Sequence, residues 1–231
     1  MKTAGIIGGI GPESTIDYYR QLIEEYSRQK PDGSYPPIII NSIDLKRLRH
    51  MVDHDDFLAM VSYLTSEIQK LANAGADFGA IAANTPHIVF DDIQQQSALP
   101  LISIVESTAD AACTLRLKRL GLFGTRYTMK GKFYPEVFSR REIALSTPNK
   151  DEQAYIHDKY FAELVKGIFL PETREILLAI IDRLRQQEGI DGLILGGTEL
   201  PLILRGPTAS GIPLLDTTQI HVKSIVTQLL S

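Results

Sequence analysis

The sequence predicts an α/β protein made of two similar parallel-sheet domains, related by a pseudo-twofold duplication, with a site in the cleft between them. Three observations carry this reading. Apolar runs rich in β-branched residues alternate with longer stretches of helical period, the pattern of βαβ units. Three short patterns recur in one order at nearly one shift, which marks an internal repeat. Two of the apolar runs also stop alike, at small residues and then a polar cluster, in "FGAIAANTPHIVF" and "DGLILGGTELPLIL".

The elements follow in order. "TAGIIGG" reads as a strand, and Pro12 to about Arg28 as a helix with Ile16, Tyr19, Leu22 and Ile23 on one side. Pro12 suits the first turn of that helix. "PPIIINS" is the next strand. A second helix begins near Phe57 and stops at Gly75, an ordinary C-terminal glycine. "FGAIAAN" and "LPLISIV" then read as buried strands.

The second half repeats the first. "GLFGTRYTMKGKFY" from Gly121 parallels "GIIGGIGPESTIDYY" from Gly5 at a shift of 116. "GLILGGTE" from Gly192 parallels "GAIAANTP" from Gly79, and "IPLLDTT" from Ile212 parallels "LPLISIV" from Leu99, both at 113. Pro100 and Pro213 each sit just inside the paired strands. The expected domains are 1–100 plus 216–231, and 101–215. The last helix, about Thr218 to Leu230, is expected to pack back on the first half.

Composition narrows the function. With 44% hydrophobic and 23% charged residues in 231, the chain has the make-up of a soluble globular protein with a substantial core. A net charge of −4 gives no electrostatic case for nucleic acid. No apolar window reaches membrane-spanning length, and glycines with a proline interrupt the start where a signal peptide needs an apolar run. A cytoplasmic enzyme or binding protein is expected, with no membrane partner. The single cysteine, Cys113, excludes an internal disulfide and a multi-cysteine zinc site. It reads as a buried structural residue in the helical stretch "TADAACTLRL".

Ligands of open parallel sheets bind beyond the carboxyl ends of the strands. Four such ends are rich in small and polar residues: Gly8 to Pro12, Ala83 to Thr85, Gly124 to Thr128, and Gly196 to Glu199. Gly9 and Gly11 let backbone approach a ligand, and helix N-termini offer N–H groups to a carboxylate. The glycine loop lacks the third glycine of a dinucleotide fingerprint, with Ser14 in its place. Each feature has a plainer reading. The glycines can make a strand-to-helix turn, Asn84 and Thr85 can cap a helix, and His87 can be a buried, hydrogen-bonded histidine. Thr198 and Glu199 can cap a helix and complement its dipole, and Lys46, Arg47 and Arg49 can be a solvated face. Pairing of the ends favours a site.

"MKTAGIIGGIGPEST", "ANTPH" at 83–87, "GTRYTM" at 124–129 and "GGTE" at 196–199 resemble the aspartate/glutamate racemases, in order along nearly the whole chain. The resemblance implies two α/β domains with the site between them, a homodimer, and isomerase chemistry with no cofactor, pyridoxal phosphate included. In that chemistry one thiol removes the α-proton of an amino acid and a second reprotonates the opposite face. The thiols belong directly before the Asn-Thr and Thr-Glu pairs, where this chain has Ala83 and Gly197. Neither carries a proton, so the two-thiol mechanism is excluded. Restoring both thiols is then expected to raise racemase activity.

By the same resemblance, Asn84, Thr85 and Thr198 hold the carboxylate and amino groups of a small amino acid or dicarboxylate, with Thr125 and Thr128 nearby. Lys166 in "ELVKGIF" corresponds to a basic residue that meets a side-chain carboxylate, with Arg47 or Arg49 as its counterpart. Glu199 and His87 are the titratable groups left to serve as acid or base. The alternative is a non-catalytic carboxylate binder.

Overall fold

A computed structural model describes residues 2–231 of the chain. It divides into two compact units, one running through Ile104 and rejoined by His221–Ser231, the other Val105–Ile220.

The first unit contains β1 (Ala4–Gly8), α1 (Pro12–Gln29), β2 (Ile38–Ser42), α2 (Leu45–Asp53), α3 (Phe57–Asn73), β3 (Phe78–Ile81), α4 (Phe90–Gln96) and β4 (Leu101–Ile102). Its four strands are all parallel, in the order β2-β1-β3-β4. α5 (Ile104–Thr114) begins as this unit ends. The second unit continues with β5 (Arg119–Gly124), α6 (Arg126–Lys130), α7 (Phe133–Ser139), β6 (Ala144–Ser146), α8 (Lys150–Ala162), α9 (Pro171–Glu188), β7 (Gly192–Gly196), α10 (Leu200–Ile203), β8 (Thr208–Ala209) and β9 (Ile212–Asp216). Its order is β6-β5-β7-β9-β8, parallel except for β8, which pairs antiparallel with β9 at the edge. Dropping β8 leaves the same order as in the first sheet, with β1, β2, β3 and β4 answered by β5, β6, β7 and β9. The fold is α/β with two parallel-sheet domains.

Burial on both faces explains the apolar strands: β1, β3 and β7 are buried throughout, as parallel strands covered by helices must be. In the first unit Ala4, Ile6, Phe78 and Ala80 pack with Tyr18, Leu22 and Tyr26 of α1. Val222, Ile225, Val226 and Leu229 of α11 (Thr217–Leu230) complete that cluster. A second cluster joins Phe123 and Leu195 to Ile156 and Tyr160 of α8 and to Leu177, Ile181 and Leu184 of α9.

Three sequence expectations are corrected here. The buried face of α1 is Ser14, Tyr18, Leu22 and Tyr26, whereas Ile16 and Tyr19 are about half exposed (54% and 50%). The i, i+4 row wins because two tyrosines bury their rings and keep their hydroxyls bonded. Tyr18 donates to His221 Nδ1 (3.0 Å), and Lys30 Nζ donates to Tyr26 (3.5 Å). "LPLISIV" is a strand only at Leu101–Ile102, because Ile104 and Val105 open α5 as buried helical residues. Cys113 is exposed. The inner face of α5 is formed by Val105, Thr108, Ala109 and Ala112, and one further residue turns about 100° away from it.

Candidate active site

The end of β1 is built by packing constraints. Gly9 (φ 80°) and Gly11 (φ 96°) lie in the left-handed region, which side chains disfavour. A Cβ on Gly9 would fall 2.6 Å from Ser42 Oγ and 2.7 Å from the Ile43 nitrogen. The Gly9 N–H donates to Thr15 Oγ1 (2.8 Å), which donates in turn to the Gly11 carbonyl (3.1 Å). The glycines thus seat the turn against β2, and the Gly9 N–H is engaged within the chain. Gly9→Ala is expected to cost more than about 1 kcal/mol in denaturant unfolding; unchanged stability would show the turn to be adaptable.

Beside this turn lies a cavity of about 480 Å³ lined by Gly9, Pro12, Ser42, Ile43, Asp44, Leu45, Lys46 and Arg49. Two cations from α2 therefore reach it. Arg49 also pairs with Asp53 (3.4 Å). Arg47 does not line it; its guanidinium stacks 4.0 Å over the Tyr63 ring.

At the end of β3, Ala83 (5% exposed) and Asn84 (3%) are buried, and Thr85 is half-buried. Asn84 makes no side-chain cap to the following 3-10 turn, Thr85–Val89. His87 is buried, with Nδ1 donating to the Ala83 carbonyl (3.0 Å) and Nε2 accepting from the Ile104 N–H (3.2 Å). Both ring nitrogens are spent on backbone. Burial, helped by the nearby His221, holds the imidazole down to about 3, against the opposing pull of its backbone bonds.

In the second unit Thr125 caps α6, accepting from the Thr128 N–H (3.3 Å) and touching the Thr128 hydroxyl (3.2 Å). Gly124 and Gly196 pair across β5 and β7. Any Cβ there would fall within about 3 Å of neighbouring carbonyl oxygen, so close strand approach requires them. Lys166 stands exposed at the end of the 3-10 turn Leu164–Lys166.

Past β7 lies the most unusual chemistry. Thr198 (3% exposed) donates to Glu199 Oε2 at 2.9 Å, and the Tyr160 hydroxyl donates to the same oxygen. Glu199 is 1% exposed, and its Oε1 has no hydrogen-bond partner. Although it stands at the N-cap of α10, Glu199 makes no side-chain cap bond. Its carboxylate turns instead to the tyrosine. Burial first, and then the neighbouring Glu199 carboxylate, raise the Tyr160 pKa well above its usual value. Tyr160 was not legible as a site residue. In "KYFAELV" it has the spacing of a core aromatic, and no local signal links it to a strand end that follows it by so many residues.

Among the described residues no group of three or more His, Cys, Asp or Glu is arranged to hold a metal ion, and no helix is long and apolar enough to cross a membrane.

A duplicated parallel α/β fold with polar strand ends defines a class, and sequence comparison narrows it. The chain belongs to the Asp/Glu/hydantoin racemase family, whose model matches residues 7–225. It is 25% identical to the broad specificity amino-acid racemase RacX of Bacillus subtilis (strain 168), over 98% of both chains. Among solved structures it is similar to an aspartate racemase homologue from Pyrococcus horikoshii OT3, with 34% identity, full coverage of both chains and a TM-score of 0.84. A chain from Yersinia pestis, described as a candidate Asp/Glu racemase, matches at 31% identity, full coverage and a TM-score of 0.90.

Proposed function

We propose that this chain is a cofactor-independent isomerase-type enzyme that acts at the α-carbon of a small amino acid or dicarboxylate, with altered proton-carrying groups. The supporting observation is the Glu199 carboxylate, buried beside the position of the second family thiol with one oxygen unpartnered. Leaving a buried acceptor unmatched costs about 1–3 kcal/mol, and such uncompensated groups cluster at functional sites. His87 is assigned a structural role instead, because both its nitrogens are already committed.

Ligand carboxylate and amino groups are assigned to Asn84, Thr85 and Thr198, following the family resemblance. A side-chain carboxylate is assigned to Lys46 and Arg49, which share a cavity, rather than to Arg47, whose charge is used on Tyr63. RacX is named for broad specificity, so the assay needs a panel of amino acids. Binding of L-aspartate or L-glutamate, read by calorimetry, is expected to weaken at least about tenfold in Thr85→Ala, Thr198→Ala, since hydrogen bonds to a charged group are worth about 1.5–3 kcal/mol. Unchanged affinity would refute the assignment of these two residues.

The experiment that tests the function is α-proton exchange in heavy water over that panel. Deuterium at the α-carbon supports an enzyme. Binding without exchange supports the second reading, a carboxylate binder, which the inert methyl of Ala83 favours. Cytoplasmic location and a homodimer belong to the same proposal, the latter read by light scattering.

A further inference from the structure

Gly197 is not a glycine for conformational reasons, since its φ lies outside the left-handed region. It is a glycine because its side-chain space is taken. A Cβ at 197 would fall 2.5 Å from Tyr160 Cε2, and 3.1 Å from both Cζ and the phenol oxygen. Such contacts cannot form without movement of the ring. That ring is held by its surroundings: Tyr160 belongs to the same cluster as Phe123, Met129, Leu195 and Leu200 and meets Phe161 edge-on at 5.5 Å.

Filling the space does not by itself explain a tyrosine. A phenylalanine would supply the same volume without a hydroxyl needing a partner. A glutamate buried beside it adds a further desolvation cost. What the tyrosine adds is a proton on an oxygen close to where a side chain at 197 would project, bonded to an acceptor that has spare capacity.

We propose that Tyr160 and Glu199 together carry the proton on the face that the thiol at position 197 serves in the family. The proposal rests on the isomerase reading above. In the step, the substrate Cα–H bond breaks as the phenol oxygen takes the α-proton. The phenol's own proton passes to Glu199 Oε2, and the electron pair stays on the α-carbon, delocalised into the substrate carboxyl group. The protons held by the phenol and Glu199 then exchange with solvent, and reversal returns a solvent-derived proton to the same face. The phenol is neutral before and after, as a buried tyrosine with a raised pKa requires. Because Ala83 carries no proton, the opposite face is silent, and exchange proceeds with retained configuration.

The test compares the unmodified chain with Tyr160→Phe and Glu199→Gln in heavy water, using both enantiomers of aspartate, glutamate, alanine and lysine. The unmodified chain should incorporate α-deuterium with retention. Each variant should slow kcat for exchange by about a hundred- to ten-thousand-fold while KM stays within threefold. Tyr160→Phe keeps the ring and Glu199→Gln keeps the shape, so thermal unfolding should confirm folded protein. Exchange in the unmodified chain that survives Tyr160→Phe within threefold overturns the pair and leaves the isomerase reading standing. No exchange in the unmodified chain overturns both.

Discussion

Racemisation of aspartate or glutamate by the unmodified chain should be at least about a hundred- to ten-thousand-fold slower than by a two-thiol relative, the usual cost of one missing acid–base group. Inversion needs opposed proton carriers, and Ala83 leaves one face without any. On this reading Ala83→Cys alone is enough to convert retentive exchange into racemisation, because it restores the proton carrier that the family resemblance implies for the other face. Gly197→Cys gives a different result. Its Cβ would fall 2.5 Å from the Tyr160 ring, an overpacking expected to cost about 1–3 kcal/mol. Simple restoration of both thiols is therefore not expected to raise activity unless Tyr160→Gly clears the space. Polarimetry of each enantiomer, with denaturant unfolding of every variant, checks both parts. Robust racemisation by the unmodified chain, or a Gly197→Cys variant as stable as its parent, would contradict this account.

Acid should destabilise the chain steeply below about pH 6.5 through His87 and His221. His221 is fully buried, donating from Nε2 to the Ile102 carbonyl (2.9 Å) and accepting at Nδ1 from Tyr18. Burial lowers its pKa to about 4, and that of His87 to about 3. Both folded values lie below the unfolded value near 6.5, so below that pH the unfolded chain binds more protons. The stability involved is fully present above about pH 6.5. It is lost as pH falls and levels off below the two folded values. Each histidine should account for about 2 kcal/mol of the loss between pH 7.5 and pH 5, at about 1.4 kcal/mol per pH unit. Denaturant unfolding of the unmodified chain and of His87→Gln, His221→Gln at both pH values measures this. If the double variant shows the same drop as its parent, the histidines are not its source.

Much of the fold was legible because its determinants are local. The apolar runs around Ile6 and Ile194 mark strands buried throughout, the run around Ile39 marks a partly exposed edge strand, and Pro12 and Gly75 mark where helices begin and end. The duplication could be read because corresponding strands keep their small residues: Gly124 and Gly196 are forced by close strand approach. Local pattern failed where tertiary contact overrode it. The face of α1 went to Tyr18 and Tyr26 because α11, from the far end of the chain, covers them. Ile104 and Val105, read from the sequence as strand, entered a helix.

The candidate site divides along the same line. By itself the sequence determined that Gly197 and Ala83 carry no thiol, that Asn84, Thr85, Thr198 and Glu199 follow strand ends, and that cations cluster at 46–49. Each is a matter of residue type and spacing. Only the tertiary structure decided that Arg49 and not Arg47 lines the cavity, because Arg47 is drawn onto Tyr63 of the neighbouring helix. Only the tertiary structure closed both nitrogens of His87 on backbone. And only it brought Tyr160 from α8 into the space left by Gly197 and onto Glu199. That contact joins residues far apart in the chain, so no helical or strand period encodes it; it exists because a packed core leaves no void where a side chain is missing.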